Sequence, residues 1–293
     1  MAPMPISPFT YALVGAGRVG TAVAELLHRA GHEPIAVASR SSESRERAAE
    51  LLGSQPVDIE DLPPVDVVLV GTPDNAIEST ATRIAPGLGE GSVVIHFAGS
   101  LGVNPLGPVL AVGARRAALH PVQACPDIET AIERIPGSGW GVSCDDGLAE
   151  WCIDLVEDDL DGRAFLVRAE HRAVWHAAAV VVSNGIAGLL ATGEELLAAI
   201  GIGDPAAALG PLAAGTLENA RAGGGGGKTL TGPAVRGERD TIARHLDGIA
   251  RVDGELLHPY GLATVLTIQA AVRAGRVDSD EAHKMLALLR ESR

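Results

Sequence analysis

The chain has 293 residues, of which 46% are hydrophobic, 20% are charged and only 3% are aromatic. It is longer than one hydrophobic core usually supports, so two domains are expected, and its apolar content excludes a disordered chain. The net charge of −14 argues against binding to nucleic acid or to an anionic membrane, because both need a basic surface. The three cysteines include no C-x-x-C pair. They predict neither a disulfide framework nor a metal site, and they suit a reducing cytoplasm.

The distribution of apolar segments predicts a protein that is neither exported nor embedded in a membrane. The N-terminus has no basic region followed by an apolar run, so no signal peptide is expected. The most apolar segment, 177–190, is interrupted by Ser183, Asn184 and Gly185 and is short for a membrane span. We therefore expect a cytoplasmic protein without a membrane partner.

Short β-branched runs alternate with helical segments through the first half of the chain, which is typical of a parallel sheet covered by helices. The predicted strands are 11–14, 34–38, 65–70, 92–96, 117–120 and 141–143, with a further edge strand within 163–168. The predicted crossover helices are 21–30, 44–52 and 75–84. These elements predict an α/β fold built on a doubly wound Rossmann sheet.

The second half of the chain carries only helical patterns, at 171–200, 206–220, 240–249, 256–274 and 279–290. Because no strand pattern recurs there, the second domain is predicted to be all-α. We place the dinucleotide-binding domain at residues 1–167 and the helical domain at residues 168–293.

A G-x-G-x-x-G motif lies where the first predicted strand turns into the first helix. Gly15 would permit the tight turn, Gly17 the approach of the backbone to a pyrophosphate, and Gly20 the packing of helix on strand. The helix start, with Arg18 and Val19, would offer its unpaired N–H groups to the phosphates. The motif therefore predicts a dinucleotide site, and the alternative is an ordinary glycine-rich turn.

The end of the second strand predicts the choice of cofactor. NAD enzymes usually place a carboxylate there for the ribose 2′-hydroxyl, whereas this chain has Ser39, Arg40 and Ser41. A guanidinium and hydroxyls suit a 2′-phosphate. We therefore expect NADP rather than NAD, unless Arg40 only begins a solvated helix.

Two further strand ends should meet the cofactor, because the carboxyl ends of the strands border the ligand crevice in a doubly wound sheet. The third strand is followed by Thr72, Pro73 and Asp74, and the fourth by Ala98 and Gly99. The first group also suits the start of a helix, so its alternative role is purely capping.

Several motifs, in order along the chain, resemble those of the NADP oxidoreductases that join a Rossmann domain to the domain of unknown function 2520. They are VGAGRVG, VGTPDNAI, VVIHFAGSLG, ALHPVQA, WHAAAVVVSNGIAGLL and LTGPAVRGERDTIARHL. More distantly the chain resembles pyrroline-5-carboxylate reductase and the 6-phosphogluconate dehydrogenase-like group, including ketopantoate reductases. The resemblance implies a cleft between the two domains and a homodimer formed through the helical domain. It makes ketopantoate one expected substrate.

Reduction of a carbonyl needs a proton donor and a group that holds the substrate. The hydroxyacid dehydrogenase relatives use a lysine on the first long helix of the second domain, and this chain has none there, so histidine is the best replacement. We expect His120, at the end of the fifth strand, and His176 to be catalytic, each with a structural role as the alternative. Asn184 joins them because an Asn-Gly pair is costly inside a helix and often marks a ligand contact.

Arg236, in a punctuated loop, could bind a substrate carboxylate with two hydrogen bonds, or could form a salt bridge that fixes the loop. His96 ranks below the other two histidines because it could point back into the sheet. The sequence thus predicts an NADP-dependent oxidoreductase acting on a small carbonyl acid. The alternatives are an imine-acid reductase of the pyrroline-carboxylate type and an NADP-binding sensor or scaffold without turnover.

Overall fold

The computed structural model describes residues 8–291, and the chain forms two compact units that divide between Val180 and Val181. The first unit is built around one sheet, whereas the described part of the second unit contains helices and no strand. This composition confirms the predicted pairing of an α/β region with an all-helical region.

Eight strands form the sheet: β1 Thr10–Val14, β2 Glu33–Ala38, β3 Gln55–Val57, β4 Val67–Val70, β5 Val93–His96, β6 Arg115–Pro121, β7 Gly139–Cys144 and β8 Arg163–Leu166. Their order is β3-β2-β1-β4-β5-β6-β7-β8, and every neighbouring pair is parallel except β6 with β7. The order reverses direction between β1 and β4, which is the mark of a doubly wound sheet. The predicted fold class is confirmed.

Helices of the first unit connect these strands: α1 Arg18–Arg29, α2 Ser42–Leu52, α3 Ile77–Ile84, α4 Ile128–Arg134 and α5 Ala149–Asp154. Two hydrophobic cores form, one centred on Leu13, Leu27 and Trp140 and the other on Val68, Ile77 and Leu106. Most of these side chains are aliphatic, in keeping with the 3% aromatic content.

Strand β7 runs antiparallel to β6, which departs from the purely parallel sheet that we predicted. In the connection between them, the side-chain amide of Gln123 donates to the carbonyl of Arg134 and to the hydroxyl of Ser138. The intervening helix α4 has seven residues, or about 10 Å of length. It is too short to carry the chain back along β6, which would span about 23 Å.

The second unit contains α7 Pro205–Ala222, α8 Gly226–Thr229, α9 Pro233–Arg236, α10 Arg239–Val252, α11 Leu257–Arg273 and α12 Ser279–Glu291. Its core joins α9 to α12 through Ile242, Leu246, Ile268 and Met285. Helix α7, in contrast, has no buried residue among those described.

The longest helix, α6 Arg172–Ala199, begins in the first unit and continues into the second. Its first residue, Arg172, is fully buried against the sheet, so the compact units divide within the helix rather than before it. The boundary at 167/168 stays a prediction.

Candidate functional site

Three glycines of the first turn are in close contact with the end of β4. A Cβ on Gly15 would lie 2.8 Å from the backbone nitrogen of Thr72, and Gly15 also has φ +90°. A Cβ on Gly17 would lie 2.8 Å from the carbonyl oxygen of Gly71, and one on Gly20 would lie 2.8 Å from the Gly71 Cα. Side chains essentially never tolerate such contacts, so all three glycines are required by packing as well as by any ligand.

Helix α1 presents an uncapped N-terminus at this turn. Its N-cap, Gly17, has no side-chain hydrogen bond, and the first turn contains no acidic residue. Helix α2 differs, because the Ser41 hydroxyl accepts a hydrogen bond from the Ser44 N–H and Glu43 lies in its first turn. The free N–H groups and positive dipole of α1 make it the better place for a phosphate.

A cleft of about 850 Å³ opens beside the glycine turn. Seven residues predicted to bind the cofactor line it: Gly15, Gly17, Ser39, Arg40, Ser41, Thr72 and Pro73. The other six predicted cofactor residues are not among its lining residues: Arg18, Val19, Gly20, Asp74, Ala98 and Gly99. The guanidinium of Arg18 instead donates to the carbonyl of Pro126 at 3.0 Å.

The charged side chains that line the cleft are paired with one another, with one exception. Arg45 binds Asp58 at 2.5 Å and Arg83 binds Glu60 at 2.5 Å. Arg40 is exposed and has no ion pair with any of residues 8–291. It therefore carries the positive charge that remains available to a ligand.

The cleft also contains a buried hydroxyl with unmet hydrogen-bonding capacity. Thr72 Oγ1 has no hydrogen-bond partner among the described residues. Such an atom is costly to leave buried unless a ligand or a water satisfies it. The glycine cradle, the uncapped helix, this hydroxyl and Arg40 together fit an NADP dinucleotide.

The guanidinium of Arg172 lies among backbone carbonyl groups of β6, of β7 and of the loop that follows β5. It donates to the carbonyl oxygens of Ala98 at 2.6 Å, Gly141 at 2.7 Å and Leu101 at 3.1 Å, with a longer contact of 3.5 Å to Ala118. Burial lowers its pKa to about 10, so it stays charged at neutral pH. Its partners are neutral, and no carboxylate among residues 8–291 forms an ion pair with it.

His120 lies near this guanidinium and is held by the first turn of α6. Its Nδ1 accepts a hydrogen bond from the indole N–H of Trp175 at 3.2 Å. Burial lowers the pKa of His120 to about 4, and the positive charges of Arg172 and His176 add to the effect. His120 is therefore a neutral imidazole at pH 7.

His176 meets His120 edge to face, with ring centroids 5.3 Å apart. A Cβ on Gly99 would lie 2.8 Å from His120 Nε2 and closer still to His176 Nδ1. His176 Nδ1 is buried and has no hydrogen-bond partner in residues 8–291. The structure thus brings the predicted residues His120, His176 and Gly99 to one point.

His96, in contrast, forms hydrogen bonds only with backbone groups among the described residues. Its Nδ1 accepts from the N–H of Ala98 at 3.1 Å, and its Nε2 lies 2.9 Å from the carbonyl of Gly102. Burial lowers its pKa. Both nitrogens are occupied, so His96 shapes the loop that carries Gly99.

The other two predicted catalytic residues lie in the second unit. Asn184 is exposed on α6, two turns beyond His176. Arg236 forms an ion pair with Glu238, with Nε 2.5 Å from Oε1 and Nη2 3.1 Å from Oε2. This pair raises the pKa of Arg236 and lowers that of Glu238. The contact matches the salt bridge considered as the alternative role of Arg236.

Two residues of this site, Arg172 and Trp175, were not predicted from the sequence. A signal for them was present, because Arg172, Trp175 and His176 stand at positions i, i+3 and i+4 of one helix and so share a face. A basic, an aromatic and an imidazole side chain on one face indicate a polar contact rather than a core stripe.

Comparisons with known proteins agree with this architecture. Residues 7–121 match the model of the Rossmann-like domain and residues 140–267 match the domain of unknown function DUF2520. No curated protein matches the chain.

Among solved structures, a proposed NADP oxidoreductase from Bacteroides fragilis is 23% identical, with a TM-score of 0.72 over 89% of this chain and 98% of that one. A protein from Thermotoga maritima is 22% identical, with a TM-score of 0.69 over 96% and 97%. The 1-pyrroline-5-carboxylate reductase of Streptococcus pyogenes is 17% identical, with a TM-score of 0.59 over 95% and 98%.

The chain therefore shares its fold with these solved structures. More narrowly, it carries a Rossmann-like domain followed by a DUF2520 domain, the combination that its motifs predicted.

Proposed function

We propose that this protein is an NADPH-dependent oxidoreductase that reduces a small carbonyl acid, such as a 2-oxo acid of the ketopantoate type. The observation that carries the proposal is the cleft beside the Gly15–Gly20 turn, where an uncapped helix start lies together with Arg40, whose guanidinium, unlike those of the other arginines lining the cleft, has no ion pair among the described residues. The name of the Bacteroides fragilis neighbour supports the same activity.

The preference for NADPH depends on charge. Arg40 and the hydroxyls of Ser39 and Ser41 line the cleft where an NAD-binding protein would usually place a carboxylate. Asp58 and Glu60 also line it, but Arg45 and Arg83 neutralise them. A 2′-phosphate would therefore meet the free cation and little repulsion.

We assign the reduction step to the part of the first unit where His120, His176 and Gly99 meet, which we call the histidine end. A bound reduced nicotinamide supplies a hydride. His120 and His176 supply polar nitrogens beside Gly99, and the uncompensated charge of Arg172 favours an anionic substrate. Each group is buried or half-buried, so its electrostatic influence is weakly screened.

The test couples binding to turnover. Calorimetric titration with NADPH and with NADH should show tighter binding of NADPH. Oxidation of NADPH is then followed with a panel of 2-oxo acids, including ketopantoate, and with a matched panel of cyclic and acyclic imine acids. Turnover of the imines alone would support the second candidate, an imine-acid reductase, which the pyrroline-5-carboxylate reductase neighbour favours. Tight NADPH binding without turnover of either panel would identify a sensor.

We also propose that two chains associate through α6 and α7. Beyond Arg172 neither helix buries a described residue, and apolar side chains such as Val181, Val182 and Leu212 are more than 60% exposed. The segment Ala169–Ala199 is also long and apolar enough to cross a membrane by length and composition. We favour a second copy as the partner, because one self-complementary apolar face on each chain closes into a two-fold dimer.

Light scattering tests the association. The unmodified protein should have twice the 30.0 kDa mass of the chain, and the double variant Val181→Glu with Val182→Glu should shift it to the monomer. Leu51→Glu, at another exposed leucine, should leave the mass unchanged. Sedimentation of the unmodified protein with phosphatidylcholine vesicles, together with a monomeric mass, would contradict the proposal.

A further inference from the structure

The hydrogen bond between Trp175 and His120 determines where His120 carries its proton. An indole nitrogen can only donate, so the His120 Nδ1 that it faces at 3.2 Å must hold a lone pair. A neutral imidazole with an unprotonated Nδ1 carries its hydrogen on Nε2. His120 therefore presents a fixed N–H donor on its other side.

His120 is a poor proton donor, because it would first have to take up a second proton on Nδ1. Burial and the charge of Arg172 lower the pKa of His120 to about 4, and protonation at Nδ1 would bring two N–H groups face to face. At neutral pH His120 can offer a hydrogen bond from Nε2, but it has no second proton to give.

His176 has the opposite character. Its Nδ1 is buried, lacks a partner among residues 8–291 and, like His120 Nε2, packs against Gly99. The site thus contains a fixed donor and, close to it, an imidazole nitrogen whose hydrogen-bonding capacity is unused. A single ligand atom that accepts one hydrogen bond and exchanges one proton would complement both.

We propose that His120 Nε2 and His176 Nδ1 form a two-point site for a hydroxyl or carbonyl oxygen, with Trp175 as the positioning residue that fixes the His120 tautomer. The inference rests on the proposed reductase function and deepens it, because it selects hydroxy and oxo acids over amino and imino acids. A protonated imine nitrogen or an ammonium group has hydrogens to donate but no lone pair to accept from His120.

The proton balance assigns different roles to the two histidines. In the direction of reduction, the substrate carbon gains the hydride and the electron pair of the C–O π bond moves to oxygen. The developing negative charge accepts the hydrogen bond from His120 Nε2. The oxygen then takes a proton from Nδ1 of the His176 imidazolium, which becomes a neutral imidazole, and solvent restores that proton. In the reverse direction His176 Nδ1 accepts the hydroxyl proton.

Nitrogen NMR of the free protein tests the tautomer without cofactor or substrate. In protein labelled with ¹⁵N-histidine at neutral pH, His120 should show a protonated Nε2 and an unprotonated Nδ1, with the signals assigned by their loss in His120→Gln. A proton on Nδ1 of His120 would overturn the proposal.

The variant Trp175→Phe removes the indole donor and keeps an aromatic ring. We expect a mixture of His120 tautomers and a fall in kcat of about 10–100-fold, the usual cost of losing an orienting partner, with the Kd for NADPH unchanged. Trp151→Phe is the matched control, since Trp151 packs on Phe9, and it should alter neither the tautomer nor kcat. An unchanged tautomer in Trp175→Phe would contradict the positioning role, and the unsubstituted protein tests the tautomer even if this variant fails to fold.

A pair of near-isosteric probes tests the substrate class. In protein saturated with oxidised NADP, 2-hydroxyisovalerate should shift the signals of His120 Nε2 and His176 Nδ1, whereas valine should leave them in place. Equal or larger shifts with valine, or no shift with the hydroxy acid, would overturn the proposed site. Failure of NADP to bind in calorimetry would instead reject the reductase function, while the tautomer measured in the free protein would still stand.

Discussion

The candidate site in the first unit has two ends, the glycine turn and the histidine end, and they use different kinds of binding group. At the glycine turn, the groups that would bind phosphates are backbone N–H groups and one exposed arginine. At the histidine end, the binding groups are side chains from β6 and α6, which are 56 residues apart between His120 and His176 and meet only in the folded chain. The first end is recognisable from a sequence motif, although its glycines also pack on Gly71 and Thr72, whereas the second end is recognisable only in the folded chain. Variants at one end should therefore leave the other intact.

The largest expected effect is at the histidine end. His176→Ala should lower turnover about 10²–10⁴-fold, the usual contribution of a positioned acid, while the Kd for NADPH remains the same. Steady-state kinetics and calorimetry on the same preparation measure both quantities. His171→Ala, at an exposed histidine bonded to Arg168, serves as the control. A parallel loss of NADPH affinity in His176→Ala would show that the two ends are not separate.

At the glycine turn, Gly17→Ala should weaken NADPH binding about 100-fold and lower the free energy of unfolding by about 1–3 kcal/mol, the usual cost of overpacking. The reason is that its Cβ would lie 2.8 Å from the carbonyl oxygen of Gly71. Gly107→Ala is the control, because its Cβ would meet nothing within 4 Å. Denaturant unfolding and calorimetric titration decide the result, and full affinity in a folded Gly17→Ala protein would contradict it.

Arg40→Ala should have a smaller and more selective effect. NADPH affinity should fall by about 1.5–3 kcal/mol, the range for a charged hydrogen bond, and NADH affinity should hardly change. Arg47→Ala removes the same charge from α2 at an exposed residue outside the cleft lining and should affect neither cofactor. Equal losses for NADPH and NADH would mean that Arg40 does not bind the 2′-phosphate.

The last expected effect is on stability rather than on binding or turnover, and it depends on pH. Because the pKa of His120 is about 4 in the folded chain and near 6.5 when unfolded, the unfolded chain binds the extra proton as the pH falls through this range. The free energy of unfolding should therefore decrease between pH 6.5 and 4, by at most about 1.4 kcal/mol per pH unit. Comparing the protein with His120→Gln cancels the contributions of His96 and other groups. Parallel pH profiles would contradict the assignment.

The same contrast explains what the sequence could predict. Alternation of strands and helices was sufficient for the doubly wound sheet, but strand β3 was missed because Pro56 lies in it, and proline is tolerated only at a sheet edge such as this one. The antiparallel direction of β7 was missed, because the alternation of elements does not reveal that the connecting helix α4 has only seven residues.

Within the candidate site, the glycine turn and Arg40 follow from a motif and from a strand end. For His120, His176 and Gly99 the sequence could predict only that they border a shared cleft. It could not predict that they are in direct contact. The roles of Trp175 and Arg172 escaped prediction because the helix face that they share with His176 does not reveal which strand ends it contacts.

Arg172 has a further consequence for how this protein can evolve. An ion pair such as Arg236 with Glu238 can be reversed or replaced by two matching substitutions. The hydrogen-bond acceptors of Arg172 are main-chain carbonyls, which no mutation can exchange. A lineage that loses this guanidinium has no single second change that restores it. New substrate preferences would therefore arise at positions around a fixed arginine rather than through it.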